Sequence, residues 1–412
     1  MTAPKLTPDR QRILCIDLGS SSLKIAVYEL GADYEQRLVD GGIDRLDAAG
    51  KTLNLTDRRQ SPARERRYPL GGGTPMATLL AALADLDVPI DAVGHRVLHG
   101  GAAHEEPARV STDFLASLAQ LLPFDPLHLP GALAAIREIA AALPQIGQVV
   151  CFDTSFHHRM PAVAQRLPLP RELFAEGVRR YGFHGLSYES IVSELGPAGA
   201  HGAMIVAHLG SGASLAAMRN GKPVDTTMGF SALGGVMMAT RPGDLDPGAL
   251  LYLLRGGRYT PKELDTVLSQ HSGLLGVSQL SGDMRTLLDK RPTDAAAADA
   301  VELFVYIAKK HIGALVAILG RLDTLVFTGG IGERSAPVRA EICAGLEHLG
   351  IELNAERNAA GEGIISADSS HVIVRVIAAN ENLMVARHTY AVLFAPGVDS
   401  APPPALANAA VS

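Results

Sequence analysis

The stretch ILCIDLGSSSLKIAVYEL, residues 13–30, decides the fold. An apolar run ends on Asp17, a Gly-Ser turn follows, and a second apolar run leaves the turn. In that second run Leu23, Ile25 and Val27 alternate with Lys24 and Ala26. A period of two, rich in β-branched and aromatic residues, predicts a strand rather than the apolar stripe of a helix. The unit is therefore strand, glycine turn, strand. A dinucleotide fingerprint or a Walker loop needs a helix after its glycines, and the chain has no GxxxxGK[ST] sequence. A hairpin turn still offers consecutive backbone N–H groups, which form an anion-binding nest.

The same pattern returns late in the chain. GAMIVAHLGSGASLAAMRNG (202–221) again runs apolar strand, polar residue, Leu-Gly-Ser, small turn and apolar run, so His208-Leu209-Gly210-Ser211 echoes Asp17-Leu18-Gly19-Ser20. A third apolar strand, LDTLVFTGGIGER (322–334), leads through a glycine-rich turn to an expected helix from Ala336. Two copies of one unit suggest a duplicated domain with a cleft between the copies. Short Gly-Ser turns also recur by chance, and the repeat alone leaves both readings open. PGALAAIREIAAAL (130–143) and the long segment 294–319 carry helix formers with apolar spacing near 3.6. The tail beyond Val398, rich in Pro and Ala, is expected to be disordered.

At 412 residues the chain has room for two or three domains. A net charge of −6 gives no footprint for nucleic acid or an anionic membrane. The basic run RRQSPARERR (58–67) reads as a solvated loop. Cys15, Cys151 and Cys343 are few, distant and set among apolar residues, which favours a reducing cytoplasm over a disulfide framework. The N-terminus has no signal-peptide apolar core, and no stretch approaches the ~20 apolar residues of a membrane helix. Fourteen histidines raise a zinc hydrolase, but ligand spacing such as HExxH is missing.

Polar clusters gather at strand ends and turns, where α/β proteins build their sites. They are GHRVLHGG (94–101), VVCFDTSFHH (149–158), RRYGFHGLSY (179–188), DTTMGFSALGGVMMATRPGDLDPGAL (225–250), GDMR (282–285) and AANENL (378–383). Each has a plainer reading. Asp153 before Thr-Ser fits a turn former or N-cap, and His184 beside Phe183 fits a hydrogen-bonded structural residue. Arg241 is placed to pair with Asp244, and Met237 and Met238 fit core filling. His157 and His158 resemble a metal pair only superficially, since neighbours on a strand point apart.

Taken in order, seven segments resemble the acetate kinase family from Ile13 to about Arg387: DLGSSSLK, GHRVLHGG, PLHLPGAL, FDTSFH, RRYGFHG, DTTMGFSALGGVMMATRPGDLDP and FTGGIGER. The resemblance implies an α/β fold of two duplicated actin-like (ribonuclease H-like) domains with nucleotide between them. It places the first domain at 1–154, rejoined by 388–398, the second at 155–387, and the disordered tail at 399–412. The implied reaction moves the γ-phosphoryl group of ATP to acetate, reversibly, with Mg²⁺ or Mn²⁺ as cofactor, in a homodimer.

An anionic acceptor must approach an anionic phosphate, so such a site has to neutralise and align charge. Under the resemblance Arg96 becomes the substrate arginine, Arg241 a second one bracing the phosphoryl group, and His184 the transition-state donor. Asp153 becomes the catalytic aspartate that orients Arg96. Leu98, Leu127, Phe183 and Ala232 match the acyl pocket. Gly19, Ser20, Ser21, Ser22 and Lys24 match the first phosphate turn, and His208, Leu209, Gly210, Ser211 and Gly212 the second. Asp283, Met284 and Arg285 match a segment near adenosine, as does the turn of Gly329, Gly330, Ile331, Gly332 and Glu333. Glu381 matches the magnesium-associated glutamate, with Asp17 near the metal's waters.

Four features depart from the family's pattern. Asp17 and Ser211 stand where Asn is usual, and Leu129 stands for Asn with Asp125 for a small residue. In the pocket Leu98 replaces the common Val and Ala232 the common Pro. One change narrows and the other opens, and one methylene discriminates by only about 1–3 kcal/mol, so acetate and propionate both stay open. A rival class is an actin- or chaperone-like ATPase switch, which needs no carboxylate-binding arginine.

Overall fold

The computed structural model describes residues 10–19, 22–44 and 51–395. Ser20, Ser21 and the tail 399–412, each the subject of an expectation above, lie outside them.

Two sheets carry the fold. The first contains β1 (Gln11–Leu18), β2 (Leu23–Gly31), β3 (Tyr34–Ile43), β4 (Thr52–Asp57), β5 (Arg64–Pro69), β6 (Ala92–Val97), β7 (Ala108–Arg109) and β8 (Gly147–Phe152), in the order β5-β4-β3-β2-β1-β6-β8-β7. The second contains β9 (Ala203–Leu209), β10 (Ala213–Arg219), β11 (Lys222–Thr226), β12 (Thr324–Thr328), β13 (Gly363–Ile364) and β14 (Ile373–Val376), in the order β11-β10-β9-β12-β14-β13.

The run β3-β2-β1-β6-β8-β7 and the whole second sheet share one pattern: two antiparallel pairings, two parallel, then one antiparallel. That correspondence decides for duplication, which the short repeat left open. It also aligns the hairpins, since β1 and β2 close at Leu18↔Leu23 and β9 and β10 at Leu209↔Ala213.

The alternation in β2 has a further cause. Leu23, Ile25 and Val27 face one core with Leu79, Leu83 and Ile139 from flanking helices. Ala26 and Tyr28 are buried too, against Met384, Val385 and Ala386 of the helix Glu381–Phe394. The first sheet is covered on both faces, as parallel strands require. In the second lobe the helix Ala295–Leu319, capped by the Asp294 side chain, fills one face with Val301, Phe304 and Ile312. The helix expected from Pro130 runs Leu129–Ala142.

Three local expectations need correcting. Residues 64–67 belong to edge strand β5 rather than to a solvated loop, because charge on both faces of an edge strand hides its period. The glycine turn after β12 is itself a short helix, Gly329–Arg334, followed by the expected helix at Ala336–Cys343. His157 and His158 sit on a 3-10 turn, Ser155–Arg159, rather than on a strand.

Candidate active site

The carboxyl ends of β1 and β6 bring Asp17 and Arg96 to one edge of a cleft of about 580 Å³ between the sheets, and Asp153, just past β8, is buried behind Arg96. Arg96 is the hub. Its Nε donates to Asp153 Oδ1 at 2.9 Å and its Nη2 to Asp153 Oδ2. Its Nη1 donates to Asp17 Oδ1 at 2.7 Å, and Glu381 Oε2 lies 3.7 Å from Nε. Asp153 opens the turn after β8, but its side chain is fully buried and serves as half of a bidentate ion pair rather than as a cap. Burial pushes its carboxyl up to about 6 against the pull of Arg96. Burial also opposes charge on Arg96, but Asp153, Asp17 and Glu381 outweigh it and hold the guanidinium above its ordinary value. Burial raises Glu381 as well. Three carboxylates thus share one guanidinium.

Glu381 reaches this cluster from the first turn of its helix. Asn380 caps that helix by accepting from Leu383 N–H at 3.2 Å, and its Oδ1 also accepts from Tyr28 O–H at 2.9 Å.

The facing wall has the opposite character. Arg241 Nη1 donates to the Ala232 carbonyl at 2.8 Å, and no carboxylate among the described residues forms an ion pair with Arg241. The pairing with Asp244 does not occur; Asp244 accepts from Gly235 N–H instead. Burial, and then Arg96, lower Arg241 to about 10, so it keeps its charge at neutral pH.

Two imidazoles lie beside this arginine. The rings of His184 and His208 stack at 4.1 Å and 15°. His184 occupies the left-handed region at φ 58°, directly before the helix Gly185–Gly199, whose first N–H donates to the Asp153 carbonyl at 2.9 Å. Its Nδ1 is 2.8 Å from Ser214 Oγ, and His208 Nδ1 is 2.8 Å from Ser187 Oγ. Burial lowers His184 well below the usual imidazole value, helped by His208 and the two arginines. Burial lowers His208 to about 4. Both rings are neutral donors or acceptors at working pH.

Backbone turns close the cleft. Gly19 N–H bonds Ser22 O at 2.9 Å, and Gly210 N–H bonds Gly212 O at 3.0 Å. A Cβ on Gly212 would stand 2.9 Å from Arg241 Nη2 and 3.1 Å from His184 Nε2, so only glycine lets both groups approach the turn. Gly329 sits at φ 75°, where a Cβ would meet the Leu209 carbonyl at 2.8 Å. Glu333 braces that junction through Oε1, accepting from Gly329 N–H at 2.9 Å and Ala379 N–H at 3.3 Å.

Most expected site residues therefore meet in one place: Asp17, Gly19, Ser22, Lys24, Arg96, Leu98, Phe183, His184, His208, Gly210, Ser211, Gly212, Ala232, Arg241, Gly329, Gly330, Glu333 and Glu381 all line the cleft. Leu127 does not, being 45% exposed; His128, Leu129 and Ala132 line the wall in its place. Asp283 is the cap of the helix Met284–Lys290, Met284 is core, and neither they nor Arg285 line the cleft. Leu209 is core as well, and Gly332 is buried behind the turn. Met237 and Met238 are core, as their sequence suggests.

Sequence reasoning missed Arg37, His128, Met228, Arg334, Asn380 and Asn382, which also line the cleft. Several sit inside segments already singled out, where their neighbours drew the attention. Arg37 has no local signal, because it reaches the cleft from β3 only through sheet pairing.

Two lobes of one duplicated α/β design, with a charged cleft between paired glycine turns, define the actin-like nucleotide-binding class. Residues 12–387 match the acetokinase family, and the chain belongs to it. It is 43% identical over 390 residues to an acetate kinase of Rhodopseudomonas palustris, covering 92% of this chain and 97% of that one. Among solved structures it resembles a propionate kinase from Francisella tularensis (TM-score 0.85, 32% identity, 92% of this chain and 99% of that one). It also resembles the acetate kinase of Porphyromonas gingivalis (TM-score 0.81, 33% identity, 93% and 100%).

Proposed function

We propose that this protein transfers the γ-phosphoryl group of ATP to acetate in a reversible in-line displacement. A carboxylate oxygen forms the new bond to phosphorus while the bond to the β-phosphate oxygen breaks, and its electrons leave with ADP. The acceptor is already ionised at neutral pH, so no base is needed. The observation that carries this reading is Arg241: a partly buried cation with no carboxylate partner among the described residues, beside a glycine turn and two neutral imidazoles. It is the open seat for an anion.

Arg96 has a different part. A guanidinium has five N–H groups, and three are committed to Asp153 and Asp17, which leaves one on each Nη for the substrate. Asp153 is thereby the orienting aspartate. His184 offers an imidazole nitrogen to an equatorial phosphoryl oxygen, and the amides of both hairpin turns, with Lys24, cradle the nucleotide's phosphates. Leu98, Phe183, Met228 and Ala232 supply the apolar wall for the acyl methyl. Asp283 to Arg285 remain the proposed neighbours of adenosine.

The carboxylate excess around Arg96 fits a hard divalent cation, with Asp17 and Glu381 as the residues toward Mg²⁺. Among the described residues no three His, Cys, Asp or Glu side chains form a ready metal cage, which suits an ion that relies on phosphates and water. When bound, Mg²⁺ neutralises charge on the β- and γ-phosphates.

The proposed domains divide at 154/155, and the helix Glu381–Phe394 lying on the first sheet supports the return of the chain to it. A homodimer is supported by the helix Pro247–Arg255, which buries none of its own residues and leaves Tyr252 76% exposed. Three free, buried cysteines suit a reducing cytoplasm, and no helix among the described residues is long and apolar enough to cross a membrane.

Protein, Mg·ATP, acetate and hydroxylamine together should yield acetyl hydroxamate. ATP loss that does not depend on acetate would sink the kinase reading and favour an ATPase switch. Turnover across formate, acetate, propionate and butyrate then fixes the acyl length.

A further inference from the structure

Behind His184 lies a buried hydroxyl chain that the reaction described above does not yet use. Ser214 Oγ stands 2.8 Å from His184 Nδ1 and is also hydrogen-bonded to the hydroxyl of Tyr188. Tyr188 and Ser214 are both fully buried. Among the described residues the Tyr188 hydroxyl has Ser214 as its sole hydrogen-bond partner. The other imidazole nitrogen, Nε2, faces the Gly212 turn and Arg241 side of the cleft.

We propose that Tyr188 and Ser214 are positioning residues that lock His184 as the Nε2–H tautomer, so that its cleft-facing nitrogen is always a donor. The direction follows from counting protons. Each hydroxyl has one proton and each neutral imidazole has one N–H. If Tyr188 donates to Ser214, and Ser214 donates to His184 Nδ1, every proton in the chain is used and Nε2 carries the N–H. If His184 Nδ1–H donated instead, Ser214 would donate to Tyr188, and the Tyr188 proton would be left unpaired in the core. An unpaired buried donor biases the equilibrium by roughly tenfold or more. Burial, helped by the stacked His208 ring and the two arginines, keeps His184 uncharged and leaves tautomer choice as its remaining freedom.

This inference rests on the proposed phosphoryl transfer, in which a fixed N–H meets an equatorial oxygen and an acceptor nitrogen would repel it. The lock itself is measurable without substrate. Long-range ¹H–¹⁵N correlation spectra of the ligand-free, ¹⁵N-labelled protein should show His184 with an unprotonated Nδ1 and a protonated Nε2. A protonated Nδ1, or averaged shifts, overturns the proposal whatever the variants do.

Tyr188→Phe keeps the ring and removes the terminal donor; Ser214→Ala removes the link. Both should move the His184 nitrogens toward averaged shifts and lower kcat by about tenfold or more, with KM for acetate and ATP changing less than about threefold. Ser214→Thr, which restores a hydroxyl, should recover the tautomer and the rate. Unchanged ¹⁵N shifts in both variants, or a lower melting temperature with kcat retained, refutes the positioning role. A locked tautomer in a protein that fails the hydroxamate assay would support the lock while rejecting the activity.

Discussion

The two glycine hairpins have the same backbone plan but opposite electrostatics. In the first lobe, the next-to-last residue of β1 and its parallel neighbour on β6 are Asp17 and Arg96, a charged pair. At the matching register of the second lobe, β9 and β12 bring together His208 and Thr328, both uncharged. A strand-turn-strand unit supplies amide donors wherever it occurs. The side chain one step before the closing pair decides whether that turn works beside ions or beside neutral donors. Duplication supplied a symmetric frame, and substitution at equivalent positions made the cleft asymmetric: Asp17 and Glu381 gather around Arg96 on one wall, while Arg241 on the other has no carboxylate partner among the described residues.

The largest expected effects come from removing one arginine from each wall. Arg241→Ala and Arg96→Ala should each lower kcat/KM by on the order of 10³. Their stabilities should part company. Arg241 has no carboxylate partner among the described residues, so its loss strands no buried charge there and the melting temperature should hold. Arg96→Ala abandons Asp153 in the core and should cost about 3–5 kcal/mol, read by chemical denaturation. Equal stability of the two variants would break the asymmetry.

Glycine substitutions sharpen the contrast between the turns. Gly212→Ala puts a Cβ against Arg241 and His184, and should lower kcat by about tenfold or more. On Gly19 a Cβ would meet its nearest neighbours, Ser22 O and Oγ, at 3.6 Å, an ordinary contact, and Gly19→Ala should cost distinctly less. Steady-state kinetics of both variants decide it, and a reversed order removes the argument.

Asp17→Asn makes the charged hairpin resemble the neutral one. It replaces a charge-assisted acceptor of Arg96 Nη1–H by a weaker neutral one and takes away one carboxylate proposed to face Mg²⁺. We expect the Mg²⁺ requirement to rise and the acetate KM to fall, each by about 3- to 10-fold. Unchanged titrations with both ligands would show that Asp17 serves neither.

A last effect, on stability rather than turnover, concerns acid. His208, His95, His99 and His157 are pushed down to about 4 by burial, so the unfolded chain takes up protons that the folded chain refuses. Stability is then full above about 6.5 and is lost as pH falls toward 4, by at most about 3 kcal/mol per imidazole. Asp153, raised by burial to about 6, acts with the opposite sign in part of that window and offsets only a fraction. Replacing the histidine of the neutral hairpin, as His208→Asn, should make the acid limb of melting temperature against pH shallower; an unaltered limb would mean His208 is not buried neutral.

Much of the site was legible beforehand because its residues sit in compact segments at strand ends, where spacing and residue type carry information. Asp17, Arg96, Asp153, His184 and Arg241 belong to five different segments, yet each lies at the carboxyl end of a strand or in a glycine-bearing segment. Edge strand β5 was illegible because its charges obscure a period of two. Leu127 was assigned to the pocket on the strength of its segment, but the start of the helix Leu129–Ala142 turns His128, Leu129 and Ala132 to the cleft. Arg37 could not have been found, since no local pattern predicts which strand lies beside which.

By itself the sequence determined the strand-turn-strand units, the two long helices, the family and the polar residues available for chemistry. Those follow from local periodicity and from spacing, which a chain carries whether or not it is folded. Only the tertiary structure decided partnership. It gave Asp153 rather than a substrate the fork of Arg96, left Arg241 without a counter-ion among the described residues, and set Ser214 between Tyr188 and His184. Partnership depends on sheet order and on which lobe faces which, and those bring together residues far apart in the chain, where no local pattern links them.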